Sequence, residues 1–405
     1  MTTDSGKNGK ILDKLVGNIE HSVRENGPPF FSYIIGNNGT GKSRLLAKIC
    51  EHYDEKEVTP VESILCISNT IRDRFVFTRG HRRIYLGTRG SSNAVFFTNS
   101  DRDIAKLLIQ CNKPGKRAFF KLLDDTLNLG FYIQFPKSQK EELTQRDLPK
   151  LVDQRKLKQT SFNHVFNTAS RELLVSLINK KIDASKLTID HAATLGDFLD
   201  FNPDVKVSIK HGIQETPYTE LSSGEQNRIS LALKIIGNAE DSSLVLIDEP
   251  EVSLHLRWQL DFHGFISKLM SIFSNYHVII ATHSPIIVSE AVKDKNTDAV
   301  IVLPPIESKG QSANIDEYTP VDSKQIDSCE SLTLDFFDTA TYNSTAVDFR
   351  IAEAVLDASD PQTSPAAGLE SLKALLNKKG IYGEKKETIL QAIKLIETHL
   401  GGRVA

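Results

Sequence analysis

Short apolar runs and helically spaced apolar residues alternate along the chain. The apolar runs predict buried strands at residues 30–35, 63–67, 131–135, 244–247, 277–281 and 298–303, with short strands at 83–86 and 94–97. Residues 205–209 alternate and predict a strand with one buried face. Helical spacing occurs at residues 11–23, 44–49, 103–110, 117–127, 225–236 and 258–273. Almost wholly apolar strands suit a parallel sheet covered on both faces, so the pattern predicts an α/β fold.

Changes in character divide the chain into four segments. Residues 1–135 and 205–305 carry the strand and helix alternation and form the two parts of one domain. Residues 136–204 begin with mixed charges and continue with helical spacing, so we expect a mainly helical insertion rather than part of a sheet. Residues 306–405 begin polar and Ser-rich and end in helical patterns broken at Gly380 and Gly383, which predicts a helical interaction region.

A glycine-rich loop lies between the first predicted strand and a predicted helix. Glycines let the backbone curl so that several N–H groups point inward, and a helix N-terminus adds positive potential. The lysine supplies a charge for the β- and γ-phosphates, and the serine hydroxyl can ligate Mg²⁺. The loop therefore predicts a nucleoside triphosphate site formed by Gly36, Asn37, Asn38, Gly39, Thr40, Gly41, Lys42 and Ser43.

Two later apolar strands end in polar residues of the kind that phosphate chemistry needs. Residues 244–247 run into Asp248 and Glu249. The first carboxylate can hold Mg²⁺ beside the loop, and the second can accept a proton from an attacking water as general base. Residues 277–281 lead to His283, which we expect to contact the γ-phosphate and sense its presence.

A third feature is the hexapeptide at residues 221–226, which precedes a predicted helix. A serine hydroxyl, a glycine amide and the helix N-terminus together make an anion-binding cap. Taken alone the hexapeptide would be an ordinary helix cap in which the acid favours the helix dipole. Its candidate contact residues are Ser222, Ser223, Gly224 and Glu225.

The composition indicates an ordinary globular protein and suggests no further binding site. The chain is 40% hydrophobic and 25% charged, which is typical of a soluble globular protein, and its net charge of −3 gives no global bias toward nucleic acid. The four cysteines have no metal-ligand spacing and fit reduced thiols. No apolar run approaches about 18 residues, so we expect a cytoplasmic protein with no membrane contact of its own.

These motifs, in this order, resemble those of the ATP-binding-cassette ATPases. Residues 36–43 match the phosphate loop of that family, 221–226 its signature, 244–249 its Mg²⁺ and base strand, and 252–255 the loop that follows, while His283 matches its switch histidine. The matches lie between residues 30 and 285. The resemblance implies a P-loop α/β fold and hydrolysis of ATP to ADP and phosphate with Mg²⁺.

The same resemblance implies an assembly of at least two copies. In such ATPases the signature of one protomer closes over the nucleotide held by the phosphate loop of the other. By this resemblance Ser222 and Gly224 serve the partner's ATP. The residues that serve the protomer's own ATP are Lys42, Ser43, Asp248, Glu249 and His283. We therefore expect a head-to-tail dimer or a higher oligomer.

The sequences at residues 248–255 and 282–285 resemble those of bacterial ATPases of the overcoming-lysogenisation-defect and RecF/Rad50 group. A transporter's nucleotide-binding subunit fits less well, because the insertion, the C-terminal region and the 206 residues from Lys42 to Asp248 (248 − 42) are extra. Stand-alone relatives of the group serve in Septu-, retron- or PARIS-like anti-phage defence beside a separate nuclease or toxin. Residues 306–405 lack the acidic DxD pattern of a fused Toprim nuclease, so we expect the effector to be another polypeptide.

Two questions stay open from the sequence. The residue that links the two lobes of such ATPases is Asn69 or Gln134, since both follow or end a predicted strand. A group of arginines could contact a nucleic acid, because arginine side chains suit phosphates. We favour the other interpretation, in which these arginines face solvent, bind a partner's acidic surface or help to bind the nucleotide. These are Arg72, Arg74, Arg79, Arg82, Arg83 and Arg89.

Two other functions remain as alternatives to a defence ATPase. One is a DNA-repair ATPase that clamps DNA ends, against which stands the lack of a heptad run long enough for a coiled-coil arm. The other is a regulatory scaffold in which ATP holds a complex together with little turnover.

Overall fold

The protein forms two compact units in the computed structural model. One contains Met1–Phe31 and Ser43–Ala281, and the other contains Ser32–Lys42 and Thr282–Ala405. The structure describes residues 11–70, 73–76, 80–87, 89–91, 94–95, 101–112, 118–137, 168–200, 203–252, 254–294, 297–303, 319–321, 326, 328–337, 339–340, 344–359 and 365–403.

Helices and strands alternate through the described part of the chain. The strands are β1 (Phe30–Ile35), β2 (Ser63–Ser68), β3 (Arg83–Tyr85), β4 (Arg89–Ser91), β5 (Ala94–Val95), β6 (Leu129–Gln134), β7 (Lys181–Asp183), β8 (Lys206–His211), β9 (Gln214–Pro217), β10 (Ser243–Asp248), β11 (His277–Thr282), β12 (Thr297–Val302) and β13 (Thr319–Val321). The helices are α1 (Ile11–Val23), α2 (Lys42–Glu55), α3 (Asp101–Gln110), α4 (Ala118–Leu127), α5 (Thr168–Leu177), α6 (Ile189–Leu199), α7 (Ser223–Asn238), α8 (Leu256–Met270), α9 (Pro285–Ala291), α10 (Cys329–Phe336), α11 (Thr345–Ser359), α12 (Pro365–Leu376) and α13 (Gly383–Arg403).

A parallel sheet forms the centre of the first unit. Its order is β11-β10-β2-β3, and every residue of β2, β10 and β11 is buried. Burial on both faces explains why these strands are apolar throughout. Helices α1 and α7 pack against β10 and β2. The register pairs Asp248 with Ser68 on one side and with Ala281 on the other, so three parallel strands end together at the acidic residues.

An antiparallel sheet in the order β7-β6-β8-β9 also belongs to the first unit. Strand β7 lies inside residues 136–204, so the expectation that this insertion takes no part in a sheet is wrong. Its three residues contain a single apolar side chain, Ile182, which is too short a pattern to show a period. The described remainder of the insertion is mainly helical, in α5 and α6.

The second unit contains the end of β1, the antiparallel pair β12 and β13, and the helices from α9 onward. The backbone N–H of Leu303 donates to the carbonyl of Ile35 at 2.9 Å, which ties the strand before the glycine loop to the end of β12. Helices α11, α12 and α13 enclose an apolar cluster whose fully buried members include Val347, Leu372 and Ile389.

The α/β P-loop fold expected from the sequence is confirmed, with the parallel sheet and the C-terminal helices in their expected places. Strands β4, β9 and β13 and helices α9 and α10 were not predicted. Helix α9 is only seven residues long, and α10 lies partly in the Ser-rich stretch, where polar residues hide the helical period. Ser328 nevertheless caps α10 with a capping box.

Candidate nucleotide-binding site

The glycine loop between β1 and α2 leaves no room for side chains at its first position. A Cβ at Gly36 would lie 2.8 Å from Thr40 Oγ1 and 2.9 Å from the carbonyl oxygen of Leu303. Gly41 has φ of +101°, in the region that favours glycine. Thr40 donates from its backbone N–H and its hydroxyl to the Asn37 carbonyl, at 3.3 and 3.0 Å. These contacts hold the curled backbone that the sequence predicts.

Lys42 is buried and folds back into this loop. Its Nζ donates to the carbonyl of Gly36 at 2.8 Å and to that of Asn37 at 3.2 Å. The residue is only 4% exposed, so the ammonium is held inside the loop rather than in solvent. A point charge at this position suits phosphate oxygens, as the sequence analysis expects.

Ser43 and Asp248 lie together, although 205 residues separate them in the chain. The Ser43 hydroxyl donates to Asp248 Oδ1 at 3.1 Å. Both groups are oxygen donors of the kind Mg²⁺ prefers, and neighbouring ligands of an octahedral Mg²⁺ are about 3 Å apart. The pair therefore fits the predicted metal site, with Ser43 next in the chain to Lys42.

Glu249 has a left-handed backbone, with φ of +49°. Such a conformation is uncommon for a residue with a long side chain and costs about 1–3 kcal/mol. The hydrogen bond from its N–H to the Ala281 carbonyl, 2.8 Å long, keeps the residue at the sheet edge. The bend directs the chain away from the strand immediately after Asp248. Sequence patterns do not show φ, so this strain was not predicted.

We expect Glu249→Gly to raise the free energy of unfolding by about 1 kcal/mol, because glycine adopts positive φ without a Cβ penalty. Urea unfolding of this variant and of Glu249→Ala, which keeps the strain, measures the difference. Equal stability of the two variants would show that the backbone at this position is not strained.

The signature hexapeptide (residues 221–226) begins α7 with a capping box. The Ser222 hydroxyl accepts the N–H of Glu225, while the Glu225 carboxylate accepts the backbone N–H of Ser222 at 3.0 Å and its hydroxyl at 2.6 Å. Ser222, Ser223 and Glu225 are exposed and Gly224 is half-buried. The helix N-terminus is therefore accessible to a second molecule, as the sequence analysis expects.

His283 follows β11 in the unit that also contains residues 36–42. It is half-buried, and the next residue, Ser284, caps α9 by accepting the N–H of Ile287 at 3.3 Å. The Ser284 N–H in turn donates to Thr282 Oγ1 at 2.9 Å. These bonds fix the backbone on both sides of His283. In the loop at residues 252–255, Ser253 lies outside the described residues.

The register of the sheets favours Asn69 over Gln134 as the residue near the acids. Asn69 directly follows Ser68, the partner of Asp248 in the parallel sheet. Gln134 instead lies in the antiparallel sheet, paired with Lys181 and Lys206, and is exposed. The pairing of β2 with β10, which are far apart in the chain, is therefore what distinguishes Asn69 from Gln134.

Two of the predicted arginines are engaged within the first unit. Arg83 forms a buried ion pair with Asp54, with 2.8 Å between Nη1 and Oδ2. Arg82 donates to the carbonyls of Lys56 and Glu57 at 2.8 and 3.1 Å, beyond the end of α2. These contacts account for both residues without a nucleic acid. Arg74 is exposed, and Arg72, Arg79 and the side chain of Arg89 lie outside the described part of the chain.

Arg83→Ala should lower the free energy of unfolding by about 3–5 kcal/mol, because it leaves the Asp54 carboxylate buried without its cation. Arg74→Ala is the matched control and should change stability by less than about 0.5 kcal/mol. Chemical denaturation of both variants tests this. If Arg83→Ala changes the free energy of unfolding only slightly, Arg83 would again be a candidate for a binding surface.

Comparison with known proteins gives partial matches. Residues 155–289 match the family described as "AAA domain, putative AbiEii toxin, Type IV TA system". That match contains the signature, Asp248, Glu249 and His283, but not the glycine loop. A probable peptide export ATP-binding protein, YydI of Bacillus subtilis (strain 168), is 30% identical over 124 residues, which is 31% of this chain and 52% of that relative. The chain therefore spans about half the length of this curated relative.

The site and these matches support an ATP-binding, ATPase-like domain related to the AAA and ATP-binding-cassette proteins. In the part of the chain that the structure describes, no helix has the length and apolar character to cross a membrane.

Proposed function

We propose that the protein is the ATPase subunit of an anti-phage defence complex. It binds and hydrolyses ATP with Mg²⁺ across a head-to-tail dimer and thereby regulates a separate effector, a nuclease or toxin. The observation that carries the hydrolytic part is the Ser43–Asp248 hydrogen bond, which brings the start of α2 to the strand end where Glu249 follows.

In this proposal each residue has one task. The Lys42 ammonium would neutralise the β- and γ-phosphates, and Ser43 and Asp248 would hold Mg²⁺, which would offset the charge on the phosphates. The Glu249 carboxylate takes a proton from the water that attacks the γ-phosphorus, and the bond to the β-phosphate oxygen breaks to give ADP and phosphate. His283 contacts the released phosphoryl group.

The dimer is supported by the exposure of the signature. Ser222 and Ser223 are open to solvent at the N-terminus of α7, where N–H groups and the helix dipole favour an anion. Binding of the partner's phosphate requires the Ser222 hydroxyl to exchange the Glu225 carboxylate for a phosphate oxygen. ATP binding would thus be coupled to the assembly of two copies.

The defence role is supported by the wording of the matched family, which names a putative toxin and a toxin–antitoxin system. A partner surface is available on the C-terminal helices. Phe349 and Leu356 of α11 are 76% and 69% exposed, on the side of the helix away from its buried residues. Large apolar side chains in this position favour a protein contact.

Peptide export is a second candidate, because the name of the B. subtilis relative includes it. The insertion and the helices after residue 306 are additional to the segments that resemble a transporter's nucleotide-binding subunit. A DNA-clamping ATPase is less well supported once Arg82 and Arg83 are seen in internal contacts. A low-turnover scaffold remains the alternative of a different class.

The direct test is phosphate release by the purified chain, alone and with its co-expressed neighbouring gene products. We expect release that requires Mg²⁺ and stops with EDTA. Absence of release under all these conditions would favour the scaffold. Phage plating on cells that carry the native operon tests the defence role, since Glu249→Gln should remove protection while an exposed control, Glu240→Gln, should keep it.

A further inference from the structure

A pocket of about 310 Å³ lies between the antiparallel sheet and the first two turns of α7. One wall is the sheet face that carries Ile209, His211 and Thr216. The opposite wall contains Arg228 from α7 and Trp258 from α8. All of these residues belong to the first unit. The pocket therefore combines apolar lining residues, such as Ile209 and Ile229, with the cation of Arg228. It adjoins the signature hexapeptide.

The Arg228 guanidinium is held between two aromatic rings. Its central carbon is 3.9 Å from the centroid of Trp258 and 4.6 Å from that of Phe265. Cation–π contacts of this kind fix the position of the guanidinium without using its N–H groups. Among the residues that the structure describes, none accepts a hydrogen bond from the Arg228 guanidinium or forms an ion pair with it.

The loss of hydration at the Arg228 guanidinium is only partly offset by its contacts with the two rings. A guanidinium has five N–H donors, and partial burial removes part of its hydration. Burial lowers the pKa of Arg228, an effect that Asp261 partly opposes. Because the side chain is already ordered by the two rings, an anion that binds it loses little further conformational entropy. Neither the sequence motifs nor the proposed hydrolysis uses this residue.

We propose that this pocket is a second ligand site, which binds a small anion with a short apolar body through Arg228. The volume is at the lower end of the range for ligand pockets and excludes large ligands. Ile209 and Ile229 are buried and provide the apolar contact, while exposed His211 and half-buried Thr216 add polar groups to the lining. The head group is a carboxylate or a phosphate, since a guanidinium fork suits both.

One acidic side chain also lines the pocket and directs the ligand. The Glu225 carboxylate faces the Ser222 end and is occupied by the Ser222 hydroxyl and N–H. The anionic head must therefore lie on the Trp258 side, against Arg228. A bound ligand would also touch Leu221, the first residue of the signature. The inference does not require that the chain hydrolyses ATP.

Trp258 is the sole tryptophan of the chain, so its fluorescence reports on this pocket. The full chain without nucleotide is titrated with hexanoate, hexyl phosphate, inorganic phosphate and hexanol. We expect a saturable change in emission with hexanoate or hexyl phosphate, and the stronger of the two identifies the head group. Hexanol and inorganic phosphate should each bind at least about tenfold more weakly, because each lacks one of the two contacts.

Variants separate this site from other sources of the signal. Arg228→Gln should weaken the anionic probes at least about tenfold, whereas Arg257→Gln, an exposed arginine next to Trp258, should not. Thr216→Phe fills the pocket from the sheet side and should abolish the change even if Arg228→Gln fails to fold. Lys42→Ala should leave it intact. The proposal is overturned if no anionic probe saturates, if hexanol matches them, or if loss of Lys42 rather than Thr216→Phe removes the signal.

Discussion

Glu249→Gln should reduce the rate of ATP hydrolysis by at least about 100-fold while leaving ATP binding intact. The glutamine amide has nearly the same shape as the carboxylate but cannot accept the proton of the attacking water. Lys42, Ser43 and Asp248 are unchanged, so the variant should retain the proposed binding of the nucleotide and Mg²⁺. Because hydrolysis is what would release the dimer, the variant should accumulate as an ATP-bound dimer.

Phosphate release and size-exclusion chromatography with light scattering, with and without ATP and Mg²⁺, measure both effects. The control is Glu240→Gln, which removes an exposed carboxylate beyond the end of α7 and should behave as wild type. Turnover within a few fold of wild type in Glu249→Gln would mean that another group accepts the proton. A wild type that dimerises with ATP but releases no phosphate would instead support the scaffold.

The local parts of the site could be predicted from sequence because their signals are local. The glycine loop, the strand that ends at Asp248 and the capped start of α7 each occupy fewer than about ten consecutive residues. A short motif or apolar run is therefore enough to identify each of them. The hydrogen bond between Ser43 and Asp248 requires only that the start of α2 meets the end of β10, which the resemblance to P-loop proteins implies. The bond agrees with the prediction that these two residues hold Mg²⁺ together.

The parts that sequence could not supply depend on long-range pairing or on backbone angles. The choice between Asn69 and Gln134 rests on which sheet each strand joins, and β2 meets β10 across about 180 residues. The arginine cluster looked like one surface in the sequence, yet Arg83 is buried against Asp54. The strain at Glu249 has no sequence signal, since glutamate is not one of the residues enriched at positive φ.

Two inactive variants should restore activity to each other if the site is shared between protomers. Lys42→Ala removes the cation proposed to bind phosphate, and Gly224→Asp places a negative charge in the signature, where it would repel the partner's nucleotide. Aspartate is well tolerated in the first turn of a helix, so Gly224→Asp should not unfold α7. Each variant alone should lose at least about 99% of phosphate release, since either change disables both composite sites.

In an equal mixture half of the dimers contain one copy of each variant, and one of their two sites then has an intact loop and an intact signature. The mixture should therefore recover roughly a quarter of the wild-type rate. A mixture of Lys42→Ala with Asp248→Asn is the matched control, because both changes lie on the loop side and every composite site stays defective. If mixed dimers form, as tagged co-purification would show, and the Lys42→Ala and Gly224→Asp mixture still releases no phosphate, then each protomer completes its own site and the head-to-tail arrangement is wrong.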